Sequence, residues 1–295
     1  MPPTSPRVYL IVNADDYGYF HCVSRGILQA ATQGIVTATG VLATATHFQE
    51  HARWLRECAT LDVGVHLNLT TGVPLTRDLG KSLSRWSGRL PGKFSVAKAI
   101  LAGTIRSEDV RAEWRAQIER VAACGLRVRF LNSHEHIHML PSLYPVIREL
   151  ASEYDIGHIR MPRSRASWRS LSSLFRSAVL KPLEAFHRRN IDMATADFLG
   201  LEVSGKLDIP YLERTIPQLR SGRVYELMCH PGFLDPNEVR DRRLLRYHDW
   251  ESELRTLTDP TVRDLLDRHA VRPIGYRQLE DLDNRLVVRS EAAQS

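Results

Sequence analysis

Val8-Tyr9-Leu10-Ile11-Val12-Asn13-Ala14-Asp15-Asp16-Tyr17-Gly18 sets the reading of the whole chain. An apolar run from Val8 to Val12 ends in two adjacent carboxylates and a glycine, the pattern of a buried strand running into a loop. A helix is predicted next over 24–33, closed by Gly34, and β-branched residues crowd 35–43. Strand, helix, strand in that order implies a right-handed parallel crossover.

The alternation continues outward from this unit. Helical patterns cover 50–58, 107–123 with Gly125 behind it, 141–154, 243–257 and 261–269. Strand patterns cover 63–69, 128–131, 156–161, 195–199 and 224–228. About seven such units fit an α/β fold of the TIM-barrel-like (β/α) type, seven-stranded or distorted, better than an open doubly wound sheet. With no internal repeat and no sharp shift in composition, 1–295 reads as one domain. The segments 76–104 and 164–190 lack strand character and are expected to be loops over the active site.

Composition narrows the function. The net charge of +6 raises the question of nucleic acid or an anionic membrane, but the basic residues are mostly arginine, with lysine only at 81, 93, 98, 181 and 206. The basic stretch 163–189 carries Leu171, Leu174, Phe175, Val179, Leu180, Leu183 and Phe186 at helical spacing, which favours a packed helix with a solvated face over a membrane-surface helix. No run reaches the roughly 18 apolar residues of a membrane span, and the first residues lack a signal-peptide core. The expectation is a cytoplasmic protein with no nucleic-acid partner and no stable membrane insertion, and with a homodimer left open. Cys22, Cys58, Cys124 and Cys229 show no CxxC pairing and are expected to be reduced thiols.

Four places carry chemistry. Asp15 and Asp16 sit at the end of a buried strand, where two carboxylates are costly unless a cation neutralises them; a turn or helix cap is the plainer reading. In Val63-Gly64-Val65-His66-Leu67-Asn68-Leu69 the period of two places His66 and Asn68 opposite the apolar set, as a ligand or as a hydrogen-bonded core histidine. Asn132-Ser133-His134-Glu135-His136-Ile137-His138 follows another strand and offers three alternate histidines. If the strand ends near His134, that imidazole alone points into the barrel mouth and His136 and His138 line or brace the loop. His230 closes a further strand before Pro231-Gly232. All four fall at C-terminal strand ends, the rim where barrels place catalytic groups. One carboxylate and two imidazoles suit a divalent ion with open positions, leaving the second carboxylate and His230 for proton transfer.

These residues resemble the motifs of the YdjC-like carbohydrate deacetylases, which include chitooligosaccharide and hopanoid-associated deacetylases. The resemblance rests on Val12 to Gly18, Gly34 to Thr39, Gly64 to Thr70 with Gly72 and Pro74, Ser133 to Pro141, and Cys229 to Gly232, in the family's order over most of the chain. It implies a barrel-like fold, a divalent ion (magnesium or zinc) held by Asp16, His66 and His134, Asp15 as the base, and hydrolysis of an N-acetyl group from an amino sugar. Asn132 departs from the pattern, since many members have Asp there, and bears on histidine orientation only. His230 is the expected acid for the departing amine. A metal-dependent phosphoesterase, another amidohydrolase and an inactive sugar-binding barrel are the rival readings.

Overall fold

The computed structural model describes residues 8–162 and 196–281. The arginine-rich stretch 163–189 and the expected loop 164–190 lie outside the described residues. In chain order the elements are β1 (Val8–Tyr17), α1 (His21–Gln33), β2 (Ala38–Val41), α2 (Phe48–Glu57), β3 (Asp62–Leu67), α3 (Arg77–Ser82), α4 (Lys93–Leu101), α5 (Ser107–Ala122) and β4 (Val128–Ser133). There follow α6 (Tyr144–Glu153), β5 (His158–Ile159), β6 (Asp197–Leu199), α7 (Ile209–Thr215), β7 (Val224–Cys229), α8 (Arg242–Tyr247), α9 (Trp250–Thr258), α10 (Pro260–Arg268) and β8 (Val271–Pro273).

All pairings are parallel, in the order β5-β4-β3-β2-β1-β7-β6, with β8 beside the start of β1. The sheet is rolled into a barrel-like form. Arg160, one residue past β5, lies 5.3 Å from the ring centre of Phe198 on β6, at the opposite end of that order. The same guanidinium reaches Asp15 on β1 and Glu226 on β7. Only a sheet curled about a common interior brings these four strands together.

Side-chain alternation along β1 sorts the core into two layers. Leu10, Val12 and Ala14 join the large cluster that includes Val23 and Ile27 of α1, packing sheet against helices. Ile11 faces inward with Ala38, Phe130, Ile274, Tyr276 and Leu279, where the Phe130 and Tyr276 rings stack 4.2 Å apart. Each fully buried side chain of this kind stabilises the fold by about 1.5–3 kcal/mol. Above Ile11, the inward positions of β1 turn polar with Asn13 and Asp15, and the site begins there.

Three expectations about elements need correction. The first strand does not stop at residue 12: Asn13 and Asp15 find partners inside the barrel, so the backbone keeps pairing, with Asn13 opposite both Ala38 and Met228. The helix expected over 243–257 is two, because the Asp249 carboxylate accepts the Ser252 N–H at 3.2 Å and caps a fresh start. The segment 76–104 contains α3 and α4, anchored where Glu113 accepts the N–H groups of Leu75 and Thr76 at 2.9 and 2.8 Å. Lys93 at the start of α4 pairs with Glu135 at 3.0 Å.

Candidate active site

The adjacent carboxylates share one rim because β1 is bulged between them. Ala14 pairs with Thr39 and Tyr17 with Val41, so β1 carries one more residue than β2 over this interval, and Asp16 adopts a φ of 68°. In a regular strand Asp15 and Asp16 would face opposite sides; a bulge with a left-handed residue re-aims the second. Both carboxylates therefore meet His66, Asp15 Oδ1 lying 3.9 Å from Nδ1 and Asp16 Oδ1 3.2 Å from Nε2.

His66 is held from behind. Its Nδ1 lies 2.7 Å from Asn132 Oδ1 on the neighbouring strand β4, and the Asn132 amide nitrogen donates to Asp15 Oδ1 at 3.1 Å. With the amide oxygen accepting from Nδ1–H, the free lone pair of His66 sits on Nε2 and faces Asp16, the orientation a ligand needs. Gly40 makes room for this pair: a Cβ there would lie 3.1 Å from Asn132 Oδ1 and 3.2 Å from His66. Asn68, on the same face as His66, instead ties its loop together by accepting the N–H groups of Thr70 and Thr71.

His134 begins the turn after β4. Its Nδ1 lies 2.8 Å from Asp16 Oδ1, and the Tyr19 ring meets it edge-on at 5.7 Å. Glu135 and His136 then take φ values of 55° and 56°, two successive left-handed residues that end the strand's alternation. Such strain in non-glycine residues persists where surrounding structure imposes it, as at functional sites. His136 turns toward Phe198, with ring centres 5.9 Å apart. His138 is fully buried, with Nδ1 2.6 Å from Ser133 Oγ and Nε2 3.0 Å from the Arg160 carbonyl, so it braces the turn. The donors of Asp16, His66 and His134 lie within 4.8 Å of one another, without His136 or His138.

Asp15 is engaged differently. Arg160 grips it with both terminal nitrogens, at 2.5 Å to Oδ2 and 2.9 Å to Oδ1, and Asn13 donates to Oδ1 at 2.8 Å. Arg160 Nε also donates to Glu226 at 2.7 Å. Burial pushes the Asp15 carboxyl up, but Arg160 and then His66 overcome it and bring it down to about 2. For Asp16 burial acts the same way, and His134 and His66 hold it well below the usual carboxylate range. Glu226 is pushed up by burial despite Arg160. His134 is disfavoured as a cation by burial but raised by Asp16. Arg160 thus pairs with Asp15 and Glu226, while the buried Asp16 carboxylate meets the imidazoles of His66 and His134, a set of donors that suits a divalent cation.

His230 is set by a close approach of backbones. A Cβ on Gly26 of α1 would lie 2.4 Å from Gly232 Cα, so two glycines let the His230-Pro231-Gly232 turn sit against the helix. The His230 N–H donates to Glu253 at 2.5 Å, while its buried Nδ1 has no hydrogen-bond partner. The ring of His248 lies 5.0 Å from it, stacked on Trp250 at 4.7 Å. Burial, and His230 after it, push His248 down to about 3. Cys229 pairs with Ala14, so His230 leaves β7 at the level of Asp15 and stands over the same interior with an unspent nitrogen.

The structure thus brings Asp15, Asp16, His66 and His134 into one cluster and puts His230 beside it. Sequence reading missed Arg160, Glu226, Asn13, Glu253 and His248. Arg160 and Glu226 carried a signal: each is a charge inside a buried strand pattern, and opposite charges on two such strands are a pair in waiting.

This is a parallel, barrel-like (β/α) fold with a carboxylate and imidazole centre at the C-terminal strand ends. The family model described as YdjC-like protein matches residues 9–268, and the chain belongs to that family. A carbohydrate deacetylase from Geobacillus stearothermophilus is 31% identical over 280 residues, covering 94% of this chain and 100% of that protein. A chitooligosaccharide deacetylase from Enterobacter sp. is 30% identical, covering 93% and 98%. A crystal structure from Enterococcus faecalis, of a protein assigned to cellobiose-phosphate cleavage, is 29% identical with a TM-score of 0.69, covering 92% of this chain and 99% of that one.

Proposed function

We propose that this chain is a carbohydrate N-deacetylase that hydrolyses the acetamide of an N-acetylated amino sugar, with Asp16, His66 and His134 holding a divalent ion, zinc or magnesium. The observation that carries the reading is the three-donor group beside an arginine-clamped carboxylate, in a family whose relatives are named as deacetylases of sugars. Bound there, the ion would acidify a water and polarise the acetyl carbonyl. Asp15 accepts the water's proton. Its carboxylate is ionised throughout the working range, and the Arg160 clamp fixes its direction. His66 is kept in register by Asn132, and His230 gives a proton to the departing nitrogen. Water adds its hydroxyl to the acyl carbon, the C–N bond breaks, and acetate and the free amine leave. A reducing, cytoplasmic setting is part of the proposal, supported by four cysteines that are all free thiols. Among the described residues no helix is long and apolar enough to cross a membrane.

The test is acetate release from N-acetylglucosamine, its short oligomers and glycolipid conjugates with several metals, run beside phosphate release from a phosphomonoester. Phosphate without acetate would make the chain a phosphoesterase; neither product, with sugar binding retained, would make it a binding barrel. The proton donor is tested separately. His230→Ala is expected to keep fold and metal, to lose about 10²-fold or more on an N-acetyl sugar, and to lose much less on an activated acetate ester whose leaving group needs no proton. Equal losses on both substrates would assign His230 to positioning the substrate and leave Asp15 as the sole proton carrier.

A further inference from the structure

Outside the barrel interior, three histidines and a glutamate meet where α1 and α2 begin. His21 is the first residue of α1; His47 caps α2, and Glu50 and His51 follow three and four residues later, a spacing that sets all three on one face. Donor atoms of His21, His47 and Glu50 lie within 4.8 Å of one another. The His21 and His47 rings overlap with centres 4.3 Å apart. His51 is buried behind them with its Nε2 3.1 Å from His21 Nδ1, and its backbone carbonyl accepts the Tyr17 hydroxyl at 2.9 Å.

We propose that this cluster is a second divalent transition-metal site, separate from the Asp16, His66 and His134 group, with His21, His47 and Glu50 as ligands and His51 as the residue that orients His21. A glutamate in the first turn of a helix is favoured by the helix dipole alone. That does not account for two imidazoles converging on it with a third behind them, since overlapping rings gain nothing from protonation and repel when charged. Two imidazole nitrogens and one carboxylate oxygen are a zinc-type donor set with a fourth position for water. Bonds of about 2.0–2.1 Å place such donors roughly 3.3 Å apart, so the present spread closes with small rotamer changes. His47 is exposed and Glu50 half-buried, so both are free to make them. His51 supplies the remaining requirement. With its Nε2 3.1 Å from His21 Nδ1, it accepts the His21 Nδ1–H. This fixes the tautomer that leaves His21 Nε2 for a metal, as partners of ligating histidines commonly do. An ion here would link the starts of α1 and α2, and α1 is the helix that follows the bulged end of β1.

Zinc binding measured by calorimetry and by elemental analysis tests the site in the full chain, using His134→Ala so that the central group is already broken. The expected result is one zinc per chain in that background, at least about tenfold weaker when His47→Ala or Glu50→Gln is added. Excess zinc should raise the melting temperature of His134→Ala and leave that of His134→Ala/His47→Ala unchanged. His47→Ala trims an exposed side chain and Glu50→Gln keeps the size and shape of a half-buried one, so folding is not at risk. Zinc affinity unchanged by His47→Ala and by Glu50→Gln, or no zinc bound by His134→Ala, would overturn the proposal. Failure of the central assignment would read differently, as two zinc ions retained by His134→Ala and lost one at a time elsewhere.

Discussion

Asp16→Asn, His66→Ala and His134→Ala are each expected to lose the central ion and at least about 10³-fold in acetate release, because a metal ion contributes several kcal/mol of charge stabilisation and about 4 kcal/mol is a factor of 10³. The three side chains come from β1, β3 and the turn after β4, and each contributes a donor to a group no wider than 4.8 Å. Removing one leaves too few ligands for a tight site. His66→Ala also frees Asn132, which then braces nothing. Metal content, measured on each folded variant, must fall together with activity. Full occupancy in His134→Ala would move the ligand to His136, whose buried Nδ1 has no hydrogen-bond partner.

Asp15→Asn is expected to separate binding from catalysis: the ion stays and hydrolysis slows by roughly 10²- to 10⁴-fold, the range for loss of a positioned general base. The amide keeps the shape and some of the bonds to Arg160, while Glu226 continues to neutralise the guanidinium. Full removal of the pair's partner, as in Arg160→Met, would instead leave two carboxylates buried without a cation, at a cost of about 3–5 kcal/mol. The pH dependence has a definite sign. The folded carboxyl of Asp15 ionises near 2 against an ordinary 3.8, so its contribution to stability is complete above 3.8 and is lost as pH falls toward 2. Asp15→Asn should flatten that acid limb. Loss of the ion in Asp15→Asn with retention in Asp16→Asn would reverse the two roles.

Much of this centre is legible in the sequence, for a physical reason. Strand alternation is read directly from residues such as Val65, His66 and Leu67, and parallel topology puts every strand end on one rim, so polar residues at strand ends converge. The bulge was not legible. Nothing in Asn13-Ala14-Asp15-Asp16 announces that Asp16 takes a left-handed φ, and without it the two carboxylates face apart. The two left-handed residues Glu135 and His136 likewise decide which of three histidines enters the site, and Glu135 is not a residue type that signals such a turn. Long-range partners were the other gap. The clamp of Arg160 on Asp15 spans 145 residues of sequence, and β8 is three residues ending in Pro273, too short to leave a pattern.

The most direct test of the account removes and restores the metal. In a His47→Ala background, which leaves the central group as the one proposed site, the protein is stripped with a chelator and zinc or magnesium is returned stepwise while bound ion and acetate release are followed together. Acetate release is expected to vanish on stripping, to return in proportion to ion bound up to one per chain, and not to return in His47→Ala/His134→Ala. Undiminished acetate release from the stripped protein would contradict the account.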